Sequence, residues 1–154
     1  MEGFRIMRRW VLGCFLALLP LAVAAEELTL EDFAAFEGQF DVATVDPARA
    51  AIVACLQSTR TPSSCIGVTL ATCDTDASNC ARLEAAAWEW FGYDMYLALR
   101  EALGGPVWID AAHARIGEEM DARCADLSGD AARLCPVKEA AARAIDLRFA
   151  LVSP

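Results

Sequence analysis

The chain carries seven cysteines, and their placement constrains the fold more than any other feature. Cys14 stands alone in an uncharged stretch from Trp10 to Ala25, behind Arg5, Arg8 and Arg9. A cationic start, a short apolar run containing Pro20, and small residues at Ala22-Val23-Ala24-Ala25 form the pattern of a cleavable secretory leader. The run is short for a spanning helix, which needs roughly 20 apolar residues. We expect a leader over residues 1–25, cut after Ala24 or Ala25, that takes Cys14 with it. Lipid attachment at Cys14 is disfavoured because the apolar core follows this cysteine, whereas a lipidated cysteine ends such a run. The remaining six, Cys55, Cys65, Cys73, Cys80, Cys124 and Cys135, are an even set in an exported chain and are expected to form disulfides. Spacing alone does not choose the pairing. Loop closure favours Cys65 with Cys73 and Cys124 with Cys135, which leaves Cys55 for Cys80. Each bridge contributes about 2–4 kcal/mol, a large share of the net stability of a domain this small.

Charge narrows the partners. Loss of residues 1–25 removes three arginines and one glutamate and moves the formal charge from −9 to −11. Such a protein is repelled by nucleic acid and by anionic membrane surfaces; it suits a cationic partner, or simply stays in solution.

Helical signals dominate the rest, and no run alternates strictly enough to predict a strand. Thr29-Leu30-Glu31-Asp32 reads as a helix start, with a hydroxyl and a carboxylate three residues apart. The short helix that follows, over 30–40, carries Leu30, Phe33, Ala34 and Phe36 at helical spacing and is expected to lie as a flap on the main body. Asp46-Pro47 predicts an N-cap and a first-turn proline for a helix over 46–58. Residues 59–78 hold Pro62, Gly67, three Ser and several Thr and read as a disulfide-pinned connector with one helical turn. A long helix over 79–103 shows a polar face of Arg82, Glu89, Tyr93, Tyr96 and Arg100. Leu83, Ala87, Trp90, Phe91, Leu97 and Ala98 make its core face, and Gly104-Gly105-Pro106 ends it. Ile109, Ala112, Ile116, Met120 and Cys124 predict one helix over 107–127; Val137, Ala141, Ala144, Leu147 and Leu151 predict the last, over 136–151. The expected fold is all-α: a small disulfide-stapled bundle of about three main antiparallel helices plus one or two short N-terminal helices. It divides into the leader, an N-terminal segment over 26–45 and a helical domain over 46–154.

Signatures of catalysis and cofactor binding are missing. There is one histidine, His113, and no Cys-x-x-Cys pair, and the oxidising compartment claims the cysteines for disulfides. Glycine-rich phosphate loops and the Gly-x-Ser-x-Gly elbow are absent from the sequence. His113 lies beside Ile109, Ile116 and Met120 and reads as a half-buried, hydrogen-bonded residue. Glu118, Glu119 and Asp121 read as a solvated face, with Glu118 and Asp121 also available to a partner. Asp94 falls on the core face of the long helix and must be paired if buried; an ion pair with Arg143 and a binding-site acid are the two readings. Tyr93 and Tyr96 are either anchors for a partner or covered by the N-terminal flap. No enzyme activity, metal or cofactor is expected.

One ordered set remains. It comprises Cys65-Ile66-Gly67, Cys73, Cys80, Glu84 with Trp88 and then Tyr96, Asp121-Ala122-Arg123-Cys124, and Cys135 with Arg143 and Leu147. Over residues 55–151 this resembles the LprI-type lysozyme inhibitor N-terminal domain family of small secreted helical proteins. The resemblance implies that Glu84, Trp88 and Arg143 belong to the structural framework and that a cationic lysozyme, or another cationic envelope protein, is the partner. The chain departs from the pattern at Ala112-His113-Ala114-Arg115-Ile116, where the family carries Ala-Gln-Arg-x-Trp. It departs again at Met120, where arginine is usual, and at Gly92-Tyr93, which replace Leu-Asn. Framework positions are thus retained better than polar ones, and fold does not fix function. The expected function is a periplasmic or secreted binding protein that blocks a lysozyme. The alternative is a non-inhibitory periplasmic adaptor or envelope-assembly module.

Overall fold

A computed structural model describes residues 24–36, 41–74 and 76–153; the side chains of residues 34–36 and of Glu118 lie outside this description. Residues 1–23, which hold most of the expected leader, lie outside it as well, as do residues 37–40 of the expected first helix.

Five α-helices and one small sheet are built from the described residues: β1 (Ala25–Leu28), α1 (Val42–Ser58), α2 (Ala77–Leu103), β2 (Val107–Asp110), α3 (Ala111–Ala114), α4 (Ile116–Cys124) and α5 (Gly129–Val152). Short 3-10 turns occupy Glu31–Phe36, Pro62–Cys65 and Leu70–Thr72. The fold is helical and stapled by three disulfides, Cys55–Cys65, Cys73–Cys80 and Cys124–Cys135.

Two of these pairings differ from the loop-closure expectation of Cys55 with Cys80 and Cys65 with Cys73. Closing the loop from Cys73 back to Cys65 or on to Cys80 costs almost the same entropy, because the two loops are nearly equal in length. The choice falls to Glu84. Its buried carboxylate accepts from the Gly67 amide (2.5 Å), the Thr69 amide (3.0 Å) and the Thr69 hydroxyl (2.5 Å). That draws the connector onto the N-terminal third of α2, so Cys65 lies against α1 and Cys73 falls beside the first turn of α2.

Helix α1 starts earlier than Asp46-Pro47 suggests. Asp41 is the N-cap, accepting from the Thr44 amide at 2.8 Å and from its hydroxyl at 3.0 Å. Pro47 lies in the second turn, where the carbonyl it cannot serve is that of Ala43, an exposed residue open to water. Asp76 caps α2 through the Asn79 amide, and Gly104, at φ +63°, ends it in the left-handed conformation that a side chain would resist. The final helix begins at Gly129, a full two turns before Pro136.

The expected helix over 107–127 is broken in three, and its first piece is a strand. Val107 and Ile109 are buried while Trp108 between them is 59% exposed, the alternation of a sheet. β2 pairs antiparallel with β1, with Glu27 opposite Trp108 and Leu28 opposite Val107. Asp110 then caps α3 by accepting from the Ala112 amide at 2.8 Å. Four-residue strands offer too few alternations to be seen in a sequence.

Helix direction also differs from an all-antiparallel bundle. α1 runs antiparallel to α2, its Arg49 reaching Asp94 while its far end is bridged to Cys65 beside the Glu84 loop. α5 runs parallel to α2. Cys80 shares a small cavity with Arg133, Glu89 pairs with Arg143, and Gly92 meets Ala144, so both helices advance together. The link through β2, α3 and α4 is long enough to carry the chain back, which a short loop is not.

Two clusters make the core. One gathers Val45, Ile52 and Leu56 of α1, Ala85, Trp88 and Phe91 of α2, and Val137, Ala141 and Ala144 of α5. The other joins Leu28, Phe33, Tyr96, Leu99, Val107, Ile109 and Leu147, and so fastens the N-terminal segment and the sheet to the far end of α2 and α5. Small residues let α2 and α5 approach: a Cβ added to Gly92 would lie 3.3 Å from that of Ala144.

Candidate partner-binding groove

Phe33 enters the second cluster, 6% exposed, and its ring lies 5.4 Å from Tyr96 and 5.5 Å from Tyr93, centroid to centroid. The Arg143 guanidinium sits 4.4 Å from the same ring, donates to the Asp32 carbonyl at 2.9 Å and to the Ala114 carbonyl at 3.4 Å, and ion-pairs with Glu89. Residues 24–36 are therefore held by one strand pairing, one aromatic plug, Arg143 and the Glu26–Arg115 ion pair. Asp32 adds a local clamp, accepting from the Thr29 amide at 2.6 Å and its hydroxyl at 2.8 Å.

This arrangement leaves an open groove of about 680 Å³ between the N-terminal segment and the end of α2, lined by Glu27 to Glu31, Tyr96, Arg100 and Gly104 to Pro106. Glu27 and Glu31 are exposed and make no ion pair among the described residues, unlike Glu26, which is bound by Arg115 at 2.6 Å. Arg100 faces them from α2. Leu30 is 49% exposed in the wall, and Trp108 stands opposite Glu27 across the sheet on the same solvent-facing side. The groove thus offers carboxylate, guanidinium and apolar contact together.

The residues expected to bind are scattered by the fold. Tyr96 is buried at the groove floor and Tyr93 is half-buried against Phe33, so the flap covers them and neither is a free anchor. Asp94 does not meet Arg143. It faces outward and pairs with Arg49, whose guanidinium also lies 6.0 Å from the Trp90 ring. Arg143 takes Glu89 instead, a residue assigned above to the polar face yet 3% exposed. The cause is that α2 is covered by α1 on one side and by α5 and the N-terminal segment on the other, so no single apolar stripe describes it. Leu97, expected in the core, is 40% exposed for the same reason.

Asp121 is exposed on α4 and the Glu118 side chain lies outside the described residues; neither lines the groove. Glu119 is drawn into a surface network from Glu26 through Arg115, Glu119 and Arg123 to Glu139, joining β1, α4 and α5. The arginines on either side hold its carboxyl below the usual carboxylate range. His113 is hydrogen-bonded through Nδ1 to Asp146, and among the described residues no serine or threonine hydroxyl bonds to it. Glu84, Trp88 and Arg143 are all fully buried, with the Trp88 indole donating to Glu84 at 3.3 Å.

Sequence reasoning missed Glu27, Glu31 and Leu30 as groove residues. Only the break from acidic Glu26-Glu27 to Leu28-Thr29-Leu30 hinted at a surface of mixed character.

Comparison with family models, with curated proteins and with solved structures finds no match for this chain. The groove must be read on its own chemistry. Among the described residues no helix is long and apolar enough to cross a membrane.

Proposed function

We propose that the chain is exported through removal of residues 1–25 and acts in the periplasm or outside the cell as a binding protein that blocks a cationic lysozyme. One observation carries this reading: among the described residues Glu27 and Glu31 make no ion pair, at an open groove with exposed Leu30 in its wall and exposed Trp108 opposite Glu27. Lysozymes are typically cationic, and a partner carrying a formal charge of −11 after leader removal is steered toward them by the field of the whole molecule. Three disulfides suit work in an oxidising compartment. The retained framework residues Glu84, Trp88 and Arg143 are consistent with the LprI-type resemblance. On this reading the protein is itself no enzyme; it acts by covering a substrate cleft.

The test is muramidase turnover with increasing amounts of the oxidised protein. Inhibition lost on Glu27→Gln/Glu31→Gln substitution supports the proposal. Full activity of several lysozyme types at large molar excess contradicts it and moves the reading to a non-inhibitory envelope adaptor.

A further inference from the structure

Among the described residues, no strand lies along the outer edge of β1. The Ala111 amide donates to the Ala24 carbonyl at 2.9 Å, in register with Glu26 opposite Ile109 and Leu28 opposite Val107. In an antiparallel pair the hydrogen-bonded positions alternate, so the N–H and C=O of Glu27, which remains after leader removal, point away from β2. No turn, cap or side chain among the described residues takes the Glu27 backbone groups. The next outward N–H, that of Thr29, is closed by Asp32. Glu27 therefore presents an open strand edge at the wall of the groove, and the Asp32 clamp marks where that edge ends.

An unpaired strand edge is a template for another extended chain, with backbone hydrogen bonds supplying affinity and alternate side chains supplying specificity. The side chains beside this edge are Glu27 and Glu31, both unpaired, with Leu30 and Trp108 as apolar surface. A lysine or arginine in an incoming segment would find carboxylates, and its aliphatic stem would lie on the apolar surface. Arg100 lines the same groove from α2. We propose that the groove is a strand-addition site, which takes an extended basic segment of a partner protein along the outer edge of β1. This rests on the cationic-partner reading above and adds to it the conformation of the bound segment.

The probe is a six-residue peptide alternating lysine and valine, titrated into the oxidised protein alongside two N-methylated forms with alternate amides blocked in either phase. Strand addition uses one edge of the peptide, so one methylated form binds as the parent does and the other at least tenfold more weakly. Hydrogen exchange at the Glu27 amide slows on binding. Glu27→Pro, which removes an outward N–H and leaves the β1–β2 ladder its bonds, reproduces the tenfold loss while the three disulfides still form. Equal binding of both methylated peptides, equal binding of a glutamate–valine peptide, or no binding of the parent overturns the proposal. Lysozyme inhibition by a protein that ignores the peptide overturns this inference alone. Peptide binding by a protein that leaves every lysozyme active overturns the lysozyme reading alone.

Discussion

At the scale of single residues, two buried carboxylates behave differently because of what surrounds them. Glu84 accepts four hydrogen bonds from Gly67, Thr69 and Trp88, so its burial is compensated and it serves as the peg for the connector. Glu84→Ala strands those donors in the interior, and we predict a loss of about 2–4 kcal/mol in denaturant unfolding. A loss below the scatter of surface substitutions would contradict the peg. Among the described residues Glu89 has only Arg143 to meet it, and its Oε1 has no hydrogen-bond partner there. Burial pushes its carboxyl up from 4.5 to about 7, against the pull of the arginine. Between those values the folded protein holds a proton that the unfolded chain has released, so stability falls as pH rises through this window. Glu89→Gln should flatten that slope; an unchanged slope would remove Glu89 as its source. Glu84, Trp88 and Arg143 were legible in the sequence as framework residues. Glu89 was not, because a helical wheel drawn with one apolar face assigns it to solvent.

The elements obey local signals where those signals are dense. Gly104-Gly105-Pro106 stops α2 where the sequence predicts, and the helical content follows the spacing of apolar residues. The sheet escaped notice because Ile109 also fits a helical line with Ala112, Ile116, Met120 and Cys124. The parallel course of α2 and α5 escaped it because direction is set by the intervening β2, α3 and α4. At their contact Gly92 meets Ala144 closely enough that bulk cannot be added. We predict that Gly92→Leu costs about 1–3 kcal/mol by overpacking, and wild-type thermal stability in that variant would show that the helices part freely. Disulfide pairing belongs to this scale as well. Peptide mapping of the unreduced protein should recover Cys55–Cys65, Cys73–Cys80 and Cys124–Cys135 with no free thiol among them. Linked peptides joining Cys65 to Cys73 would refute the role given to Glu84 in placing the connector. Because each bridge closes a short loop, removing one is expected to cost about 2–3 kcal/mol.

Across the whole molecule, net charge was legible in the sequence and the groove was not. Charge needs only a count, whereas the groove forms from residues 27–31 and 96–106, brought together by one arginine, one phenylalanine and a two-stranded sheet. In the proposed complex the acidity would steer the encounter over distances set by salt, about 8–10 Å at physiological ionic strength, and the groove would contribute the short-range contact. The two contributions separate in a binding isotherm. The most direct test is the affinity of the oxidised, leader-free protein for a cationic lysozyme, measured by calorimetry at low and high salt with wild-type and Glu27→Gln/Glu31→Gln protein. The account predicts a complex that weakens with salt and weakens further, at least tenfold, in the double variant. Absence of a complex at low salt, or an affinity indifferent to both salt and substitution, would contradict it.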